Sequence, residues 1–174
     1  MSIDQRVRAA IRDVPDFPKP GILFKDITPI LLDPALCSAV ADELARSAGG
    51  ADAVVGVESR GFLFGMMIAE RLQVPFITVR KAGKLPYRTV AYSYDLEYGS
   101  ATVEMHVDAV RPGMRCLVHD DLLATGGTAA AAAELISKQG GSVAGFSFLV
   151  TLSFLGGADA LNRYAAPINS IVTY

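Results

Sequence analysis

The alternation of short apolar runs with helix-forming stretches constrains the fold of this chain more than any other feature. Apolar runs lie at residues 53–57, 76–79, 116–119, 143–150 and 168–172. Helical spacing fills residues 62–72, and an alanine-rich stretch follows a small-residue loop over 125–139. Strands that alternate with helices pair in parallel, because each return to the sheet needs a crossover connection. The order predicts an α/β fold: a mainly parallel, five-stranded twisted sheet with helices on both faces. At 174 residues the chain is the size of one ordinary domain, spanning 1–174.

Two regions stand outside that alternation. At the N-terminus, Ser2 with Gln5 has the form of a capping box ahead of a short amphipathic helix. Pro15, Pro18, Pro20, Pro29 and Pro34 then predict an ordered loop over residues 14–34, and Asp33-Pro34 reads as the N-cap and first residue of the next helix. Residues 89–94 and 101–107 read as two strands of an antiparallel flap outside the main sheet. The flap segment, residues 85–107, carries few large apolar side chains near its tip and is expected to be mobile and among the least stable parts of the fold. The five alanines Ala129 to Ala133 are explained by helix propensity.

Composition narrows the function classes. Lys plus Arg total 16 against 18 for Asp plus Glu, so no positive excess points to nucleic acid. The uncharged stretch 140–158 approaches the length of a membrane helix, about 20 residues, but Gly140, Gly141, Ser142, Gly145, Ser147, Thr151, Ser153, Gly156 and Gly157 break it into a buried strand with flanking turns. The N-terminus is charged and lacks an apolar h-region. Cys37 and Cys116 fit no metal spacing and read as free thiols, so a cytoplasmic location is expected, with no membrane and no nucleic acid as partner.

The segment Cys116-Leu117-Val118-His119-Asp120-Asp121-Leu122-Leu123-Ala124-Thr125-Gly126-Gly127-Thr128 carries the function. An apolar strand runs into two carboxylates and then into a loop of small residues that opens a helix. Gly126 and Gly127 let the backbone approach a phosphate, Thr125 and Thr128 add hydroxyl donors, and the helix N-terminus presents free N–H groups. Asp120 and Asp121 are strong acceptors for the vicinal hydroxyls of a ribose. Taken singly, a Thr-Gly-Gly-Thr turn is ordinary capping and an aspartate pair is surface decoration; in this order after an apolar strand they are far more specific. No Gly-Lys-Ser/Thr follows, so this is not a Walker A loop, and the glycines do not fit Gly-x-Gly-x-x-Gly.

This segment resembles the phosphoribosyl pyrophosphate (PRPP) signature of the type I phosphoribosyltransferases, in the form found among members that act on adenine. Four further blocks match in order: residues 16–27, from Asp16-Phe17-Pro18 to Lys25-Asp26-Ile27; Glu58-Ser59-Arg60-Gly61-Phe62-Leu63-Phe64-Gly65; Arg80-Lys81-Ala82-Gly83-Lys84-Leu85-Pro86; and Tyr94-Asp95-Leu96-Glu97-Tyr98-Gly99. The resemblance covers nearly the whole chain.

It implies the type I phosphoribosyltransferase fold, with residues 1–34 forming a helix and a small hood over the base. It implies transfer of the 5-phosphoribosyl group from PRPP to adenine, giving AMP and pyrophosphate in purine salvage, with Mg²⁺ held through PRPP rather than by direct protein ligands. By the same resemblance, Ala124, Thr125, Gly126, Gly127 and Thr128 hold the 5′-phosphate, and Asp120 and Asp121 contact the ribose. Glu58, Ser59 and Arg60 face the pyrophosphate, with a cis peptide between Glu58 and Ser59. Arg80, Lys81 and Lys84 reach the pyrophosphate of a neighbouring subunit in a homodimer; the stretch has no acidic cluster close in sequence, and on its own it reads as a solvated charge run. Phe24 stacks on adenine, Leu23 and Lys25 offer backbone groups to its edge, and Leu122 covers the other side. Glu97 is the acid/base residue and Tyr98 helps the flap close. His119 stands where an aliphatic residue is usual and reads as a core histidine, and Lys25 replaces a frequent arginine. Two alternatives stay open: the same transfer to another purine base, and a PRPP-binding regulator without turnover, for which neither spare length nor a basic patch supplies a DNA-binding domain.

Overall fold

The computed structural model describes residues 1–96 and 99–174. Helix α1 (Ile3–Ala10) starts at the capping box, where the Ser2 side chain accepts the Gln5 N–H and the Gln5 side chain accepts the Ser2 N–H. The proline-rich stretch is more regular than expected. It contains an antiparallel pair, β1 (Arg12–Pro15) and β2 (Leu23–Asp26), followed by the short helix α2 (Thr28–Leu31). Helix α3 (Pro34–Arg46) is capped by Asp33, whose carboxylate accepts the N–H groups of Ala35 and Leu36 at 3.0 Å.

Next come β3 (Ala53–Val57), α4 (Gly61–Leu72), β4 (Phe76–Lys81), the hairpin β5 (Thr89–Asp95) and β6 (Ser100–His106), β7 (Arg115–Leu123), α5 (Gly127–Lys138), β8 (Ser142–Thr151), α6 (Gly157–Leu161) and β9 (Ile168–Thr173). The sheet order is β5-β6-β4-β3-β7-β8-β9. Strands β4, β3, β7, β8 and β9 pair in parallel, as expected.

Two expectations need correction. The hairpin is not outside the main sheet: β6 pairs antiparallel with β4 through Arg80↔Glu104 and Lys81↔Val103. Val103 and Met105 are buried in the core shared with α5, so the base of the flap is a packed element. Strand β7 also runs on past His119 to Leu123, carrying both aspartates within it. Register with β8, from Asp120↔Phe148 to Leu123↔Thr151, overrides the poor strand propensity of aspartate.

The core lies on both faces of the sheet. One side is covered by α5 and the hairpin, the other by α1, α3 and α4. All five alanines of 129–133 are buried on the sheet, where their small size lets α5 lie close to Val55, Val57 and Val118. Their composition is therefore set by packing as well as by propensity. No helix among the described residues is long and apolar enough to cross a membrane.

Candidate active site

The site follows from the strand connections. Strand β3 leads through α4 to β4 on one side, whereas β7 leads through α5 to β8 on the other. Adjacent parallel strands whose connections diverge leave a crevice at their C-terminal ends. Pairing between β3 and β7 stops at Gly56↔His119, so from Asp120 onward the β7 edge facing β3 is unpaired. There a cavity of about 540 Å³ opens, lined by Glu58, Ser59, Arg60, Lys81, Lys84, Asp120, Asp121 and Leu122.

Its charges are ordered. The Nε of Arg60 lies 2.9 Å from Oδ2 of Asp121, which is 4% exposed. The Arg60 guanidinium also sits 5.2 Å from the centre of the Phe24 ring, which joins the β1–β2 hood to the cleft. Glu58 accepts from Arg80 and from the Lys81 backbone N–H, both at 2.9 Å, and these bonds hold its carboxyl below the usual range. Asp120 accepts the Asp121 N–H at 2.8 Å. Burial, and then the charge of Asp121, push the Asp120 carboxyl well above the usual range. Among the described residues no side-chain hydrogen bond or ion pair engages the ammonium groups of Lys81 and Lys84. They remain available to an anion in the cavity.

A second, smaller cavity of about 70 Å³ adjoins the first and is lined by Thr125, Gly126, Gly127, Thr128 and neighbouring residues, with Asp120 and Leu122 common to both. Gly126 adopts φ 82°, a left-handed conformation, and a Cβ there would meet the Gly157 carbonyl oxygen at 2.5 Å. Only glycine fits this turn. The loop then enters α5, whose first N–H groups have no intrahelical acceptor and point to the loop.

The structure thus brings together most residues singled out from the sequence. The peptide between Glu58 and Ser59 is cis. Arg80 does not line the large cavity; it is engaged by Glu58 and the Lys84 carbonyl. The basic stretch therefore has an acidic partner of its own, which close-range sequence could not reveal because Glu58 is on a different strand end. Lys81 and Lys84 line the large cavity of their own chain. Leu23, Phe24 and Lys25 lie on β2, beyond the cavity wall; Lys25 directs its ammonium to Asp13 at 2.7 Å and over the Tyr174 ring, away from the cleft. Glu97 and Tyr98 lie outside the described residues. Among the described residues no group of three His, Cys, Asp or Glu side chains is set to hold a metal ion.

Three contributors were missed in the sequence. A Cβ at Gly61 would meet Asp120 Oδ1 at 2.9 Å, so this glycine lets α4 start against the aspartate. A Cβ at Gly157 would meet the Ala124 carbonyl oxygen at 2.3 Å, so α6 supports the loop from below. Tyr94 approaches Thr128 from the hairpin. Gly61 and Tyr94 stood inside matched blocks, but the contacts that Tyr94 and Gly157 make are too distant in sequence to be signalled.

A family model described as the phosphoribosyl transferase domain matches residues 30–169. The chain is 57% identical over 173 residues to an adenine phosphoribosyltransferase of Sorangium cellulosum, covering 97% of this chain and 86% of the relative. Among solved structures it is similar to an adenine phosphoribosyltransferase of Thermoanaerobacter pseudethanolicus, with TM-score 0.94, 45% identity, and 98% and 99% of the two chains covered. It is also similar to the Saccharomyces cerevisiae enzyme complexed with an imino-altritol bisphosphate and adenine, with TM-score 0.90, 39% identity, and 97% and 98% covered.

Proposed function

The chain belongs to the phosphoribosyltransferase family, and from that premise we propose that it transfers the 5-phosphoribosyl group of PRPP to adenine, giving AMP and pyrophosphate. The observation that carries this reading is the sharing of Asp120 and Leu122 by two adjoining cavities, one cationic and roomy, the other a glycine loop at a helix N-terminus. A ligand with an anionic group at each end and a polyol between them spans both. PRPP has that form.

In this reading residues 124–128 hold the 5′-phosphate, and Asp120 and Asp121 accept the ribose hydroxyls. Arg60, Lys81, Lys84 and Ser59 receive the pyrophosphate, with Glu58 and Arg80 fixing the wall behind them. Adenine stacks on Phe24, meets backbone groups of Leu23 and Lys25, and is covered by Leu122. Arg60 then serves both substrates, since it lies over Phe24 and beside Asp121. Substitution at ribose C1 passes through an oxocarbenium-like state, so the protein contributes positioning and stabilisation of the leaving charge. Glu97 is the acid/base residue at the purine, and Tyr98 helps the flap close over it.

Mg²⁺ fits this cleft as a partner of PRPP. Glu58 and Asp121 are already engaged by arginines and Asp120 accepts the Asp121 N–H, so the hard donors would come from the substrate's own oxygens and water. When bound it neutralises pyrophosphate charge. The reading also includes a cytoplasmic homodimer, supported by the family resemblance and checked by sedimentation of the active protein.

The test at the site is the PRPP dependence of AMP formation. Charged hydrogen bonds are worth about 1.5–3 kcal/mol, so Asp121→Asn should raise KM for PRPP about tenfold or more. Glu97→Gln should lower kcat and leave PRPP binding within about twofold. Unchanged PRPP kinetics in both Asp120→Asn and Asp121→Asn would remove the ribose assignment.

A further inference from the structure

Tyr94 belongs to the hairpin, yet its side chain ends at the phosphate loop. Its hydroxyl lies 3.0 Å from Oγ1 of Thr128, in the first turn of α5. The ring packs over Gly127, where a Cβ would come within 3.3 and 3.4 Å of its carbons. Thr128 lines the small phosphate-loop cavity and also a neighbouring cavity of about 310 Å³ in which Tyr94, Glu58 and Lys81 take part. The hydroxyl pair therefore sits on the wall between the loop and the rest of the cleft.

The donor inventory decides what such a pair does. A threonine hydroxyl has one proton and two lone pairs, and so has the tyrosine oxygen in effect one proton to give. A phosphate oxygen only accepts. If Thr128 gives its proton to the phosphate, its lone pairs are left to receive the Tyr94 O–H. The two hydroxyls then form a chain in one direction, from Tyr94 to Thr128 to the anion. Without the Tyr94 hydroxyl, the Thr128 proton has no fixed direction and its oxygen has lost a donor.

We propose that Tyr94 is a positioning residue for the 5′-phosphate: its hydroxyl orients the Thr128 proton toward the anion and thereby links the flap strand β5 to phosphate binding. The proposal rests on the reading that residues 124–128 hold the phosphate of the substrate. It assigns to the hairpin a role at the end of the substrate opposite to the base.

Tyr94→Phe keeps the ring over Gly127 and removes only the hydroxyl, so it is the variant of choice. Ribose 5-phosphate is the probe, titrated by calorimetry into wild type, Tyr94→Phe, Thr128→Ala and the double variant, alongside steady-state KM for PRPP and adenine. One neutral hydrogen bond corresponds to roughly a three- to tenfold change in affinity. The expected result is a weakening of that size in Tyr94→Phe for ribose 5-phosphate and for KM of PRPP, with KM of adenine and the melting temperature nearly unchanged. In the Thr128→Ala background, Tyr94→Phe should add nothing, because the chain is already broken. Full-strength ribose 5-phosphate binding by Tyr94→Phe, alongside weakened binding by Thr128→Ala, overturns the proposal and leaves the phosphate loop standing. An undiminished Tyr94→Phe effect in the Thr128→Ala background also overturns it, since the residue is then only structural. Unaltered binding by Thr128→Ala overturns the loop reading and the proposal together.

Discussion

Two neighbouring residues of β7 respond to burial in opposite directions, and both responses are measurable. Asp120 has its carboxyl raised by burial and by Asp121. A raised folded-state pKa means that its favourable contribution is complete below the ordinary carboxylate range and is lost as pH rises through the raised value. Charge on Asp120 therefore opposes folding near neutrality, a cost that fits the ligand role proposed for it. Thermal melts of Asp120→Asn should show a variant at least as stable as wild type at pH 7, with any advantage shrinking toward pH 4, while its KM for PRPP rises. His119 is fully buried, its Nδ1 is 3.3 Å from Ser147 Oγ, and burial lowers its pKa to about 3. It stays neutral in the fold while the unfolded chain takes up a proton near pH 6.5, so stability falls as pH drops below that value. The slope for one proton is about 1.4 kcal/mol per pH unit. Urea midpoints between pH 7 and pH 4.5 should show that slope reduced in His119→Met. The sequence placed His119 correctly in the core, since a lone histidine in an apolar strand has few other places to go.

The elements differ in how much of them could be read beforehand. The parallel strands announce themselves by short apolar runs, and α3 by Asp33 and Pro34. Pairing across distant segments leaves no such mark. The attachment of β6 to β4 depends on Arg80↔Glu104 and Lys81↔Val103, and the extension of β7 to Leu123 depends on the partner strand β8. Local preference alone ended that strand at the aspartates, although their order with the small-residue loop marked out residues that the fold places around two adjoining cavities. The packed base of the hairpin has a stability consequence. Met105 is fully buried, and truncating such a side chain costs about 2–5 kcal/mol. Met105→Ala should therefore lower the unfolding free energy by an amount in that range, read from denaturant midpoints. A change below about 0.5 kcal/mol would mean that the hairpin base is peripheral to the fold.

At the scale of the whole molecule, one topological fact organises the rest. The connections after β3 and β7 diverge, and the crevice between them receives Arg60 from one turn, Lys81 from the end of β4, Lys84 from the turn after it, and the aspartates from β7. Cationic side chains thus gather in one part of the crevice while a helix N-terminus adjoins the other, and β2 brings Phe24 within reach of Arg60. Net charge plays no part, since the chain carries −2 overall; the field is local to the cleft. Product formation from purified protein shows whether this crevice joins adenine to the ribose of PRPP. With adenine, PRPP and Mg²⁺ the expected products are AMP and pyrophosphate in equal amounts, with little product from guanine, hypoxanthine or xanthine and none in excess chelator. Comparable turnover of guanine, full activity in chelator, or tight PRPP binding without any AMP would contradict that reading.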